Sequence, residues 1–517
     1  MVITAKFYPQ HLAQAWAEAL NQLSVDRVVE RVWQGDHTVF QPDPDEVANR
    51  LGWLHVVEDS LRQWPSWVLV ADEIAEGPGH ANPGQFDHVL ILGMGGSSLF
   101  PEVLARTFAA GDGFPELHVL DSTDPAAILR TSALCDPERT VVVAASKSGS
   151  TIETRSHLAY FWSRLPLGSQ FVAITDPGSG LEALAAARDF RFIAHGVPQI
   201  GGRFSALSAF GMLPGALMGL DANDLLATAQ EAAELLGLEV PAQEHLGCQL
   251  GALIATAAQH GRDKLTFLIE EPLSAFGSWV EQLIAESTGK LGVGLLPVIG
   301  EPADAPDAEH RMYVVIGDVD LSSFGADGLP GPSVHLSVEE PQDMGAQVFL
   351  WEFATAIAGV VLGINPFDQP DVESAKLAAR GILSNRTDPP AETSLPDALG
   401  QLRSGDALVI GAFVDPLLEP QLQAARLALG RSEGVATTLG IGPRFLHSTG
   451  QLHKGGPDRI VFVQVVSEDE VDLAIPGESF SFGELKQAQA DGDLAALRAA
   501  GKRAFRVPLA ELLQAGQ

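Results

Sequence analysis

The chain has 517 residues, 46% of them hydrophobic, and sets 66 acidic against 32 basic side chains for a net charge of −34. That surface repels nucleic acid and anionic membranes, so neither is expected as a partner, and an anionic ligand has to be met by locally placed cations. The composition is that of a foldable chain, and the length suits two to four domains. The two cysteines, Cys135 and Cys248, form no CxxC pair, so no zinc or redox motif is visible and no structural disulfide is suggested. The opening MVITAKFYPQHLAQAW lacks the apolar core of a signal peptide, and no uninterrupted apolar run is long enough to span a bilayer. A reducing cytoplasm is the expected setting.

Residues 1–80 read as a helical segment. HLAQAWAEALNQL and PDEVANRLGWLHVVEDSLRQW carry apolar residues at helical spacing, with Asp43 or Asp45 as cap of the second helix. GPGHANPGQ (77–85) is a breaker-rich boundary. From there FDHVLILG, ELHVLDSTDP, TVVVAASKSGS, QFVAITDPGSG and FRFIAHG are short apolar strands alternating with helices, the signature of βαβ units and a parallel sheet over residues 81–260. A second alternating region, 261–387, contains KLTFLIEEP, GLLPVIG, RMYVVIGDV and SVHLSVEEP, then the buried helix AQVFLWEFATAIAGVVLGI. After the connector DPPAETSLPD, the stretch 388–517 alternates again through ALVIGAFV, GVATTLGIG, RIVFVQVVS and AFRVPL, as a third small lobe or an extension of the second sheet, and is expected to complete the second lobe.

Ligands of such sheets bind beyond the C-terminal strand ends. VVVAASKSGSTIET (141–154) delivers Ser146, Lys147, Ser148, Gly149 and Thr151 to a helix N-terminus, whose free N–H groups and dipole suit a phosphate; a Ser-rich capped turn has the same pattern. LGMGGSS (92–98) lets backbone approach a sugar with Ser97 as a hydrogen bonder, or is an imperfect dinucleotide fingerprint with Asp121 as its acidic residue, or is a simple tight turn. IGGRFSALSAFG (200–211) offers Arg203 as an anion contact or as a surface residue at a helix start. In GSWVEQLIAESTGK (277–290), Glu286 suits a general base or a capping carboxylate, and Glu281 reads as a solvated-face residue. FDQPDVESAK supplies Gln369 and Lys376, and RFLHSTGQLHKGG supplies His447 and His453 six residues apart, which is no helical metal pair.

Together these stretches resemble the glucose-6-phosphate isomerase family. GMGGSS is similar to its GIGGS turn, SKSGSTIET to its SKTxTTxET loop, GGRFSALSAFG to its GGRxSxxSxxG signature, EQLIAESTGK to the segment of its catalytic Glu, and INPFDQPDVESAK to INxFDQxGVExGK. The N-terminal LGWLHVVEDS and the C-terminal part look like the bacterial branch found fused behind a transaldolase, although no transaldolase barrel is present. The resemblance implies an α/β fold of two sugar-isomerase (SIS) subdomains, each a doubly wound parallel sheet flanked by helices. It implies interconversion of glucose 6-phosphate and fructose 6-phosphate through a cis-enediol(ate), with no metal or other cofactor, a small phosphorylated sugar as partner, and compatibility with a homodimer. A non-catalytic sugar-phosphate binder and acceptance of mannose 6-phosphate stay open. Ser146, Lys147, Ser148 and Thr151 would hold the phosphate, Gly96 and Ser97 the sugar, and Gln369 the phosphate side. Glu286 would move the proton between C2 and C1, Arg203 would steady the enediolate, and Lys376 would assist ring opening. Pro370 stands where the family has Trp, DVESAK replaces GVELGK, and the family's His loop is missing between Glu286 and Gln369. HSTGQLHKG (447–455) resembles that loop with one residue missing, so His447 is the expected ring-opening imidazole, ahead of His453 and His310.

Overall fold

The computed structural model describes residues 3–76, 86–371, 381–383 and 390–516. The chain opens on a strand, β1 (Ala5–Tyr8), not on a helix. β1 is four residues long and pairs antiparallel with a strand more than 300 residues later, so nothing local in the sequence marks it. Helix Ala13–Val25 follows as expected. The second helix starts later than its periodicity suggested: Glu46 sits at φ 56, outside the right-handed region, residues 45–50 are turns, and the helix runs Val56–Glu76.

The first sheet holds β2 (His88–Leu92), β3 (Glu116–Leu120), β4 (Thr140–Ala145), β5 (Phe171–Thr175) and β6 (Phe192–His195), all parallel, in the order β3-β2-β4-β5-β6. Every residue of β4 is buried. Val141, Val143 and Ala145 face one apolar cluster and Val142 and Ala144 another, so helices cover both faces and the strand reads as a continuous apolar run.

The second sheet comprises β7 (Lys264–Ile269), β8 (Leu296–Ile299), β9 (Arg311–Ile316) and β10 (Ser333–Leu336), ordered β1-β10-β9-β7-β8 and parallel except at β1. Residues beyond 390 add no strand to it. They form a third sheet of β11 (Ala407–Phe413), β12 (Ala436–Ile441), β13 (Ile460–Val466) and β14 (Arg503–Arg506), ordered β12-β11-β13-β14. Its inner face shares an apolar cluster with the second sheet, in which Phe445, Leu452 and Phe462 meet Ala285, Leu296 and Val298. Leaving out β1, the parallel strands of each sheet run second, first, third, fourth, with a fifth added in the first sheet, so the same winding occurs three times.

Helix Met344–Leu362 lies at the centre, against helices Ala222–Leu235 and Leu246–Gln259. Among the described residues it belongs to the one helix, Pro341–Leu362, long and apolar enough to cross a membrane, but 83% of its apolar window is buried inside the protein. It is apolar all round because it has neighbours all round.

Candidate active site

The strand order of the first sheet reverses between β2 and β4, and the cleft opens beyond their C-terminal ends. Two glycine-rich turns meet there backbone to backbone: a Cβ on Gly96 would lie 2.0 Å from the Gly202 carbonyl oxygen. Glycine at 96 is therefore required for the close approach, whereas a Cβ on Gly202 would meet nothing, and the second turn carries Arg203 in with it. After β4, Gly149 at φ 66 reverses the chain so that helix Ile152–Arg164 points its N-terminus into the loop. Its N-cap Thr151 makes no side-chain capping bond; its hydroxyl lies 3.0 Å from the Ser146 hydroxyl instead. With no side-chain cap from Thr151, this helix N-terminus suits an anion. The Lys147 ammonium donates to Asp176 Oδ2 at 2.5 Å and to the Val197 carbonyl at 2.9 Å. Burial lowers its pKa, an effect that Asp176 opposes and Arg50 adds to.

The cleft is a cavity of about 380 Å³, lined by Gly96, Ser97, Lys147, Ser148, Thr151, Arg203, Glu286, Gln369 and His447. Nine residues singled out from separate motifs thus converge on one space. Ser146 does not line it: it is buried and lines a neighbouring cavity. Lys376 lies outside the described residues.

Glu286 is in the last turn of helix Phe276–Thr288 and is almost fully buried. Its Oε1 lies 3.2 Å from Arg203 Nη1, and its Oε2 accepts from Gln282 Nε2 at 3.1 Å. Arg203 is itself buried and donates to Ser287 Oγ (2.7 Å) and to the carbonyls of Pro366 (2.6 Å) and Asp368 (3.1 Å). The Lys290 ammonium also holds Asp368, through its carbonyl and its carboxylate, both at 2.6 Å. Burial and the nearby Arg203 charge pull the Lys290 pKa down to about 8 against the pull of Asp368. These two cations fix the segment that presents Gln369.

His447 enters from the third sheet, in a 3-10 turn Arg444–His447 that follows β12. Its Nε2 lies 2.9 Å from Glu153 Oε1, and its carbonyl accepts from Gln282 at 2.8 Å. Gly95, at φ 55, packs under it; a Cβ there would be 2.6 Å from the His447 carbonyl oxygen. Glu153 is buried and also accepts from Gln489 at 2.6 Å, whose carbonyl oxygen accepts from Thr123. Burial pushes the Glu153 pKa up, but the charge and hydrogen bond of His447, together with a backbone N–H and His157, more than offset this and leave it below the ordinary value. The other two imidazoles are elsewhere. His453 is buried in a short helix among Phe445 and Phe462, its pKa pushed down to about 3 by burial and the neighbouring Lys454 and Lys502, and His310 is bonded to Asp307; neither lines the cleft.

Several partners were missed from sequence. Arg50 and Glu46 reach the cleft from the N-terminal segment, and Gln282 and Asp176 also line it. Glu153 was visible only as a first-turn helix residue. Glu281, expected on a solvated face, is half-buried, and burial lifts its pKa to about 7 against the opposing Arg426 and Arg444. Asp121, the acidic residue of the dinucleotide reading, is occupied by Arg444 at 2.8 Å and 3.0 Å.

The sequence profile of the family described as Phosphoglucose isomerase matches residues 70–294. A glucose-6-phosphate isomerase of Thermus thermophilus is 33% identical over 66% of this chain and 92% of its own length, and that of Rubrobacter xylanophilus 29% identical over 59% and 83%. Among solved structures, a hypothetical protein from Thermus thermophilus aligns with a TM-score of 0.58 at 25% identity, over 74% of this chain and all of the other. A glucose-6-phosphate isomerase from Chlamydia trachomatis aligns at 0.57 over 71% and 85%, and at 21% identity that likeness is one of fold. The profile match includes Arg203 and Glu286 and ends before Gln369 and His447, which geometry alone brings to the cleft. On the 33% identity that extends over nearly the whole length of the Thermus thermophilus enzyme, the chain belongs to the glucose-6-phosphate isomerase family.

Proposed function

We propose that this protein interconverts D-glucose 6-phosphate and D-fructose 6-phosphate through a cis-enediol(ate) intermediate. The observation that carries this is the convergence, in one cavity, of a Lys- and hydroxyl-lined helix N-terminus with a buried carboxylate–guanidinium pair and a carboxylate-backed imidazole. The phosphate sits on Lys147, Ser148 and Thr151, with Ser146 acting through its hydroxyl bond to Thr151. Binding there orients the distant carbons C1 and C2 against Glu286. His447, held through Nε2 by Glu153, leaves Nδ1 for the ring oxygen and opens the ring, with Lys376 assisting.

Glu286 then takes the proton from C2 and returns it to C1. As the carboxylate is neutralised, negative charge passes to the enediolate oxygens. Arg203 Nη1, 3.2 Å from the carboxylate, is near both positions, so the cation need not move as the charge does. In this reading residues 81–260 supply the phosphate end, 261–387 the base and 388–517 the imidazole. Two free, buried thiols suit a reducing cytoplasm.

The test is an assay in which fructose 6-phosphate is converted and the glucose 6-phosphate formed is oxidised by a coupling dehydrogenase. The protein should first be exhaustively treated with chelator. Turnover of at least about 1 s⁻¹, the low end of ordinary enzymes, is expected. Tight binding of the sugar phosphate without turnover would leave only a binding protein.

A further inference from the structure

We propose that Arg444 is a positioning residue: it fastens the third sheet's His447 turn to the first sheet, so that a single chain carries the imidazole to its own cleft. The proposal rests on the ring-opening role given to His447 above.

The turn Arg444–His447 is one turn of 3-10 helix, in which side chains at i and i+3 eclipse. Arg444 and His447 are therefore on the same side, and both point to the first sheet. Phe445 lies between them in sequence and goes the other way, beside Phe413 and Phe462. Gly440 makes room for it, since a Cβ there would be 2.7 Å from the Phe445 Cβ. One residue thus anchors the turn in the third sheet and its neighbour anchors it across the interface.

The cross-interface anchor is a two-carboxylate clamp. Arg444 Nη1 donates to Glu102 Oε2 at 2.7 Å, while Nε and Nη2 pair with the two oxygens of Asp121 at 2.8 Å and 3.0 Å. Glu281, on the helix of the base, also faces it. A planar guanidinium engaged on two edges fixes orientation as well as distance, which a lysine cannot do. Glu102 lies on helix Leu99–Thr107, which starts directly after Gly95, Gly96 and Ser97. The clamp therefore grips the element that lines the cleft, three residues from the imidazole it positions.

Arg444→Met removes the clamp and keeps the apolar stem. Because a misplacement of about 1 Å can cost about 100-fold in rate, kcat for the cyclic sugar phosphate should fall about 10- to 100-fold, with KM little changed since the phosphate loop is untouched. R444K should recover part of the loss. In a double-mutant cycle, R444M/H447A should be no slower than H447A, because Arg444 acts through His447. Folding is checked by thermal unfolding. If R444M does not fold, E102Q, which removes one acceptor at constant size, should show a smaller loss that again vanishes in the H447A background. Wild-type kcat in R444M, or a double variant slowed by the product of the two single factors, would overturn the proposal. Wild-type kcat in H447A would overturn the ring-opening role and the proposal with it.

Discussion

Replacing Glu286 by Gln separates the base from the shape of its site. The amide keeps the carboxylate's volume, and its oxygen can still accept one of the two bonds now made, from Arg203 Nη1 at 3.2 Å or from Gln282 Nε2 at 3.1 Å. The NH₂ must then face the other donor. A buried donor set against a donor costs about 1–3 kcal/mol, and here the lower half applies, because Arg203 retains its acceptors on Ser287, Pro366 and Asp368. The variant should therefore fold, with an unfolding midpoint lowered by a few degrees. Its chemistry should suffer far more. A positioned general base contributes about 10²- to 10⁴-fold, or about 3–5 kcal/mol of barrier. The amide cannot take a proton from carbon, so kcat should fall by that factor while KM for fructose 6-phosphate moves little. The assay is steady-state kinetics in both directions alongside thermal unfolding of the same preparation. A kcat within tenfold of wild type, in a folded variant, would refute the reasoning.

Lys147→Ala should raise KM by about 10- to 150-fold, the range of about 1.5–3 kcal/mol for a hydrogen bond to a charged group, and it leaves Asp176 facing the phosphate; an unchanged KM would remove Lys147 from the site. Gly95→Ala places a methyl 2.6 Å from the His447 carbonyl oxygen at φ 55, so kcat should drop while the phosphate affinity, read by inhibition with inorganic phosphate, is retained. His245 is buried neutral, bonded to the Leu236 carbonyl and accepting from the Cys248 N–H, and burial holds its pKa at about 4 against an ordinary 6.5. Below pH 6.5 the unfolded chain binds a proton that the folded one does not, so stability falls with pH through the window from 6.5 to 4, by at most about 3 kcal/mol from this group. His245→Asn keeps a capping acceptor and should flatten that part of the acid limb in thermal unfolding monitored by circular dichroism; an unchanged slope would show that His245 does not carry it.

The parts of the site that were legible in the sequence are those with a local physical requirement. A phosphate-binding helix N-terminus draws Ser, Lys, Gly and Thr into a short turn, and the backbone contact between residues 96 and 202 needs glycine at 96, so the SKSGST and MGGSS motifs stand out as strings. Glu286 stood out locally only as a carboxylate between apolar and small residues near a helix end, which suits a cap as well as a base; the base reading came from the resemblance of EQLIAESTGK to the family's segment. Pairings across the fold left no such trace. Glu153 acquires its meaning from His447, 294 residues away, and β1 from β10 at the far end of the second sheet. Arg444 was an unremarked letter in RFLHSTG because its acids, Glu102 and Asp121, lie on another sheet's elements. Glu281 was misjudged for the same reason: helical periodicity gave its angle from Glu286 but not the third sheet that covers it. The third sheet itself follows from the alternation of its strands, yet only the strand pairing separates a new sheet from an extension of the second.

The most direct test of the central claim is to follow isomerisation in D₂O by NMR, with chelator present. A single carboxylate shuttling a proton through an enediolate exchanges part of that proton with solvent. Deuterium should therefore appear at C2 of glucose 6-phosphate and C1 of fructose 6-phosphate as the two interconvert, and both interconversion and labelling should collapse together in Glu286→Gln. Interconversion with no solvent deuterium at either carbon, or labelling that persists unchanged in Glu286→Gln, would contradict the account.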